Sequence, residues 1–118
     1  MKVTFTKLHV MEDGDSGDAE WNFIMSVNTQ QQYWKNNEVN DDSPDYNLGN
    51  IFYTKDGDPI EVRTSGSEGD NADLANSDDM LPVFVRSHPA GETGDFESPE
   101  TWDEDRGIGY KVKYTITR

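Results

Sequence analysis

Apolar and polar residues alternate with a period of two along most of this chain, and a helical period is hard to find. Trp21, Phe23, Met25 and Val27 alternate with Asn22, Ile24, Ser26 and Asn28, the pattern of a half-buried strand. The cleanest case lies at the end of the chain, where Ile108, Tyr110, Val112, Tyr114 and Ile116 alternate with Gly109, Lys111, Lys113, Thr115 and Thr117. Val3 and Phe5 share a phase, and Leu8 and Val10 take the other, which predicts a bulge near Lys7. Ile60 and Val62 share a face with Thr64; Leu81, Val83 and Val85 repeat the pattern until His88-Pro89 stops it. Ile51-Phe52-Tyr53 precedes Asp56-Gly57, a favoured hairpin dipeptide, so residues 46–54 and 59–65 are expected to pair with each other. Residues 31–35 add a short strand, and residues 71–75 suit a single helical turn.

These elements predict an all-β fold: one domain over residues 1–118, an antiparallel β-sandwich of seven or eight short strands with long acidic loops. Residues 36–44 and 89–105 are the long loops, and loops of that length in a small domain are more often functional than accidental. There is no internal repeat.

Composition narrows the function classes. Hydrophobic residues are only 32% of the chain but aromatic ones reach 11%, including Trp21, Trp34 and Trp102, so a folded core is expected rather than disorder. Without cysteine there is no disulfide framework, thiolate metal site or cysteine nucleophile. No apolar run approaches the ~20 residues of a membrane-spanning helix. Residues 1–10 alternate and lack a signal-peptide core, so the default expectation is a soluble cytoplasmic protein. Aspartate and glutamate number 24 against 10 lysines and arginines, a formal charge of -14. Such a surface repels nucleic acid and anionic lipid, so neither direct nucleic-acid binding nor membrane binding is expected.

The acids are grouped. Residues 12–20, 64–80 and 92–105 are acidic and contain no base, whereas residues 1–10 and 109–118 contain bases and no acid. Clustered like charges destabilise a compact state unless cations or a basic partner offset them. The first group reads Asp13-Gly14-Asp15-Ser16-Gly17-Asp18-Ala19-Glu20. Calcium takes about six to eight oxygen ligands, and alternating aspartates in a glycine-rich loop can supply several. The segment is not an EF-hand: Gly17 replaces a ligand, Ile24 stands where the closing glutamate belongs, and strands flank it. The second group is Glu68-Gly69-Asp70 followed by Asp78-Asp79, between two strands. Two such loops meeting at one end of a sandwich could complete a cage that neither makes alone. Trp102-Asp103-Glu104-Asp105 precedes the last strand and is a third candidate for the same end.

This order of strand, acidic loop, strand, and later acidic pair, variable stretch, Asp-Asp and strand resembles C2-type calcium-binding β-sandwiches. The resemblance implies calcium ligands in two loops. Asp13 with Asp15 or Asp18 would correspond to the first loop, and Glu68 and Asp70 with Asp78 or Asp79 to the second. Glutamate leads the later loop where that family usually has aspartate. The lysine-rich lipid-binding strand of many members is not obvious here.

Catalysis has little support. The histidines are His9, inside a strand, and His88; a nucleophile elbow is absent because Ser65 precedes Gly66-Ser67, and there is no phosphate-cradling glycine-lysine motif. The leading expectation is therefore a monomeric, non-enzymatic calcium-binding module that presents its ordered loops to a partner. Its ligand candidates are Asp13, Asp15, Asp18, Glu20, Glu68, Asp70, Asp78 and Asp79. Two alternatives stand beside it. One is an acidic decoy or DNA mimic that binds a basic protein partner. The other is an acidic structural domain without a site, as in salt adaptation, although this chain keeps six lysines.

Overall fold

A computed structural model describes residues 1–14, 18–69 and 79–118. Ten strands run through them: β1 Lys2–Asp13, β2 Ala19–Val27, β3 Gln30–Val39, β4 Asp45–Tyr53, β5 Ile60–Gly69, β6 Asp79–Met80, β7 Phe84–His88, β8 Gly94–Glu97, β9 Thr101–Asp103 and β10 Ile108–Thr117. One antiparallel sheet has the order β4-β1-β10-β8, with β9 also on β10; we call it sheet A. Sheet B has the order β3-β2-β5-β6, with β7 also on β5. The two pack face to face as the expected antiparallel sandwich, with more strands than the seven or eight anticipated.

The alternation works as written in the longest strands. Val3, Phe5, Leu8 and Val10 of β1 and Ile108, Tyr110, Val112, Tyr114 and Ile116 of β10 all face the core. The register slips between Phe5 and Lys7, where the phase change predicted a bulge, and again between Val10 and Glu12.

Four expectations need correction. Residues 46–54 and 59–65 do not form a hairpin: β4 pairs with β1 in sheet A, whereas β5 pairs with β2 in sheet B. Asp56-Gly57 does turn the chain, with Gly57 at φ 91°, but the turn passes from one sheet to the other. Leu81, Val83 and Val85 do not share a buried face. Leu81 is buried, Val83 and Val85 are exposed, and the next strand starts at Phe84, which faces inward. Pro82 cannot donate to a ladder, and its carbonyl is taken by the Tyr110 hydroxyl at 2.6 Å. The supposed loop 36–44 is half strand, because β3 continues to Val39. The supposed loop 89–105 holds β8 and β9, both paired with β10 on either side of Ser98. Ser98 Oγ accepts from the Val112 N–H at 2.9 Å, and the Ser98 N–H donates to the Val112 carbonyl at 2.8 Å. The helical turn expected at 71–75 lies outside the described residues.

The outer strands β3 and β4 border the same side of the sandwich. Unpaired edge carbonyls invite pairing with another chain. Here Gln30 Nε2 donates to the Tyr53 carbonyl and Gln32 Nε2 to the Ile51 carbonyl, each at 2.7 Å, so side chains of one edge cover the backbone of the other.

Two buried tyrosines carry polar atoms through the core. The Tyr110 hydroxyl bonds Thr64 at 2.8 Å as well as Pro82. The Tyr114 hydroxyl meets His88 Nε2 at 2.8 Å, while His88 Nδ1 meets Glu92 at 2.6 Å. His88 is thus a buried structural histidine that ties residues 89–93 to the core. Burial pushes the Tyr114 hydroxyl up to about 12, with Arg86 opposing and Glu92 reinforcing. Burial raises Tyr110 as well, against the opposing effect of its Thr64 hydrogen bond. An unfolded tyrosine ionises near ~10, so the stability tied to these neutral hydroxyls is present below that pH and is lost as pH rises through the folded values. Alkaline titration should therefore show Tyr110 and Tyr114 forming tyrosinate together with loss of the near-ultraviolet circular dichroism. Ionisation of both with that spectrum unchanged would contradict the burial argument. Tyr110→Phe takes a partner from the buried Thr64 hydroxyl and from the part-buried Pro82 carbonyl and should cost about 1–3 kcal/mol in urea unfolding.

Candidate functional site

The cross-sheet order gathers several strand ends at one pole of the sandwich. β1 finishes at Asp13, opposite Ile108 at the start of β10, and Ile108 in turn stands opposite Asp103 of β9. On sheet B, β2 begins with Ala19 opposite Val39 of β3, and Glu20 opposite Gly69 of β5. Glu68 lies between Trp21 and Asp79 in the ladder. The connections β1–β2, β3–β4, β5–β6 and β9–β10 therefore all leave from this pole.

Asp13 and Glu68 are its buried carboxylates, 3% and 7% exposed. They come from different sheets, and at Gly14 the end of β1 comes close to the Glu68 side chain. A Cβ placed on Gly14 would lie 3.7 Å from Glu68 Cγ and only 2.7 Å from Ile108 Cγ1. Gly14 also has φ 87°, which glycine adopts without steric penalty. Trp21 Nε1 donates to the Asp13 carbonyl at 3.0 Å from within the core, so the indole sets the exit direction of β1.

The other candidate ligands divide. Asp18 is exposed and accepts from Asn40 Nδ2 at 3.1 Å, which ties the β1–β2 crossover to the β3–β4 loop. Glu20 is out of phase with buried Trp21 and takes the outer face of sheet B. There it borders a groove of about 260 Å³ with Asn22, Lys35, Asn37 and Ser67, with the sheet between it and Glu68. Asp79 stands opposite Glu68 by backbone register. Asp15, Asp70 and Asp78 lie outside the described residues. Among the described residues, no group of three or more histidine or acidic side chains is placed to hold a metal ion.

The third acidic run does belong to this pole. Trp102 is not free for stacking in the way its exposure suggests: a Cβ on Gly109 would lie 2.3 Å from Trp102 Cε3, so the indole covers the glycine backbone of β10. Sequence reasoning marked the 36–44 segment as a long loop but did not single out Asn40 within it. The signal available was Asn40-Asp41-Asp42, a polar turn cluster; its link to Asp18 needed the fold.

Scanned against models of known protein families the chain matches none, and a search of curated proteins finds no significant relative.

Gly14→Ala should lower stability by at least about 1–3 kcal/mol for the left-handed backbone alone, with the Ile108 clash in addition. Gly57→Ala should cost only the backbone part, since no atom lies within 4 Å of its Cβ position. Paired denaturant melts check this; equal costs would deny that Gly14 is a packing position.

Proposed function

We propose that this chain is a calcium-binding β-sandwich module, without catalytic activity, whose ion sits between the β1–β2 and β5–β6 connections and orders them for a partner. The observation that carries the reading is the burial of two carboxylates from opposite sheets at one pole, Asp13 and Glu68, with Gly14 at the end of β1 packed close to Glu68 Cγ; the sequence that follows each strand is rich in further aspartates. Calcium tolerates irregular coordination and accepts backbone carbonyls and water beside carboxylates, so it suits loops better than the smaller, strictly octahedral magnesium does. Asp15, Asp70 and Asp78 are the proposed additional ligands, and Asp18 and Asn40 brace the first loop. Glu20, on the outer face, is proposed to tune the local field rather than to coordinate. An acidic decoy would use carboxylates spread across the sheet faces, whereas the outer face of sheet A carries Lys7, Lys111 and Lys113.

Calcium should raise the melting temperature and magnesium should raise it much less. At about 100-fold over the dissociation constant, the added stability should be ~2.7 kcal/mol. Asp15→Asn with Asp70→Asn should abolish the shift. Asp58→Asn with Glu61→Gln, an equal charge change near the opposite pole, should leave it intact. Equal losses in the two double variants would mean diffuse ion condensation and would end the cage reading.

A further inference from the structure

The acidic pole is not the only organised charge on this molecule. Lys7 stands directly opposite Lys113, and His9 directly opposite Lys111, on the two central strands of sheet A. All four project from the outer face, since their neighbours Leu8, Val10, Tyr110, Val112 and Tyr114 fill the core. Like charges directly opposite on neighbouring strands are destabilising. Their concentration in a two-by-two block is notable where acids outnumber lysines and arginines 24 to 10.

We propose that this block is a binding site for a small doubly charged oxyanion, a phosphate or sulfate group, held by Lys7, Lys111 and Lys113 with His9 at one side.

The geometry supplies the walls. Lys7, His9, Lys111 and Lys113 line a shallow concavity of about 240 Å³, with Asp45 and Glu97 at its margins. His9 Nδ1 is 2.8 Å from the Asp45 carboxylate, which fixes the imidazole ring. Glu97 lies 3.7 Å from Lys111 Nζ and 3.5 Å from Lys113 Nζ, longer than the roughly 2.7–2.9 Å of a tight charged hydrogen bond. One carboxylate thus serves two ammonium groups loosely. Among the described residues no carboxylate lies within 4 Å of Lys7 Nζ. The three lysines and two carboxylates that line the concavity leave one positive charge. The Asp45 carboxyl is held below its usual range, first by the His9 hydrogen bond and with smaller contributions from Lys7 and Lys113.

The same charges set the size of the ligand. Screening limits surface fields to about 8 Å at physiological salt. A compact oxyanion stays within reach of the lysines. A polyanion that ran out of the concavity would pass Asp45 on one side or Glu97 and Asp95 on the other, and would then meet a chain of charge -14.

The test is thermal unfolding of the full chain in calcium-free buffer, with 10 mM-scale phosphate, sulfate or phosphoserine against chloride at equal ionic strength. Phosphate or sulfate should raise the melting temperature above the chloride value. A larger shift with phosphoserine assigns the site to an esterified phosphate, and a larger shift with the inorganic ions assigns it to the free anion. Lys7→Gln and Lys113→Gln should each remove the shift. In chloride both should be at least as stable as the parent, because each relieves the cross-strand repulsion. Lys55→Gln, in the connection between β4 and β5, should keep the shift. Equal effects of chloride and the oxyanions, a retained shift in Lys7→Gln, or an equal loss in Lys55→Gln would each overturn the site. Calcium plays no part in this readout, so its outcome is independent of the acidic pole.

Discussion

Tyr110 holds the two sheets in register, and the rest of the molecule depends on that register. Its backbone belongs to β10 in sheet A, while its hydroxyl bonds Thr64 on β5 in sheet B and the carbonyl of Pro82. Its ring meets Trp21 and Phe23 of β2 edge-on, at centroid distances of 6.1 and 5.3 Å. A polar atom buried this deeply is tolerated only with partners, so the hydrogen bonds select one relative placement of the sheets where apolar packing alone would allow several. That placement brings the end of β1 above the end of β5. Trp21, packed against Tyr110, then fixes the Asp13 carbonyl, and Gly14 fits between Ile108 and Glu68.

Charge is sorted along the same architecture. In the sequence the acids are concentrated in residues 12–20, 64–80 and 92–105, whereas Lys7, Lys111 and Lys113 sit on the central strands of sheet A. The body measures 46 × 27 × 23 Å, several times the roughly 8 Å over which salt screens surface charge, so charges at its two ends act largely independently. A formal charge of -14 therefore describes the chain as a whole and not the field that a small ligand meets at either place. Clustered like charge that a counter-ion of the right sign would relieve is the common premise of the calcium proposal and the oxyanion proposal.

The candidate site was legible only in part. Acidic runs between strands marked which connections to watch, because clustered carboxylates need an explanation whatever the fold. The sequence reading placed Asp13 and Glu20 in one ligand set; the bulge at Met11, which turns Asp13 inward, and the pairing of Trp21 with Glu68, which leaves Glu20 on the outer face, separate them. The block of Lys7, His9, Lys111 and Lys113 could not be seen from sequence, since its members lie about a hundred residues apart and become neighbours only through the β1–β10 ladder.

By itself the sequence determined the all-β class, the long strands β1, β2, β5 and β10, and the bulge near Lys7, because side-chain alternation is a local property of the strand that each segment forms. Tertiary structure decided which strands pair. Asp56-Gly57 encodes a reversal of direction, and a reversal serves equally well within a sheet or between two. Here β4 closes on β1 and β5 on β2, so the same turn became a crossing. It also decided the weak strands. Residues 94–97 and 101–103 have little pattern of their own and are strands because β10 offers them an edge, with Ser98 bonded to both the N–H and the carbonyl of Val112 between them.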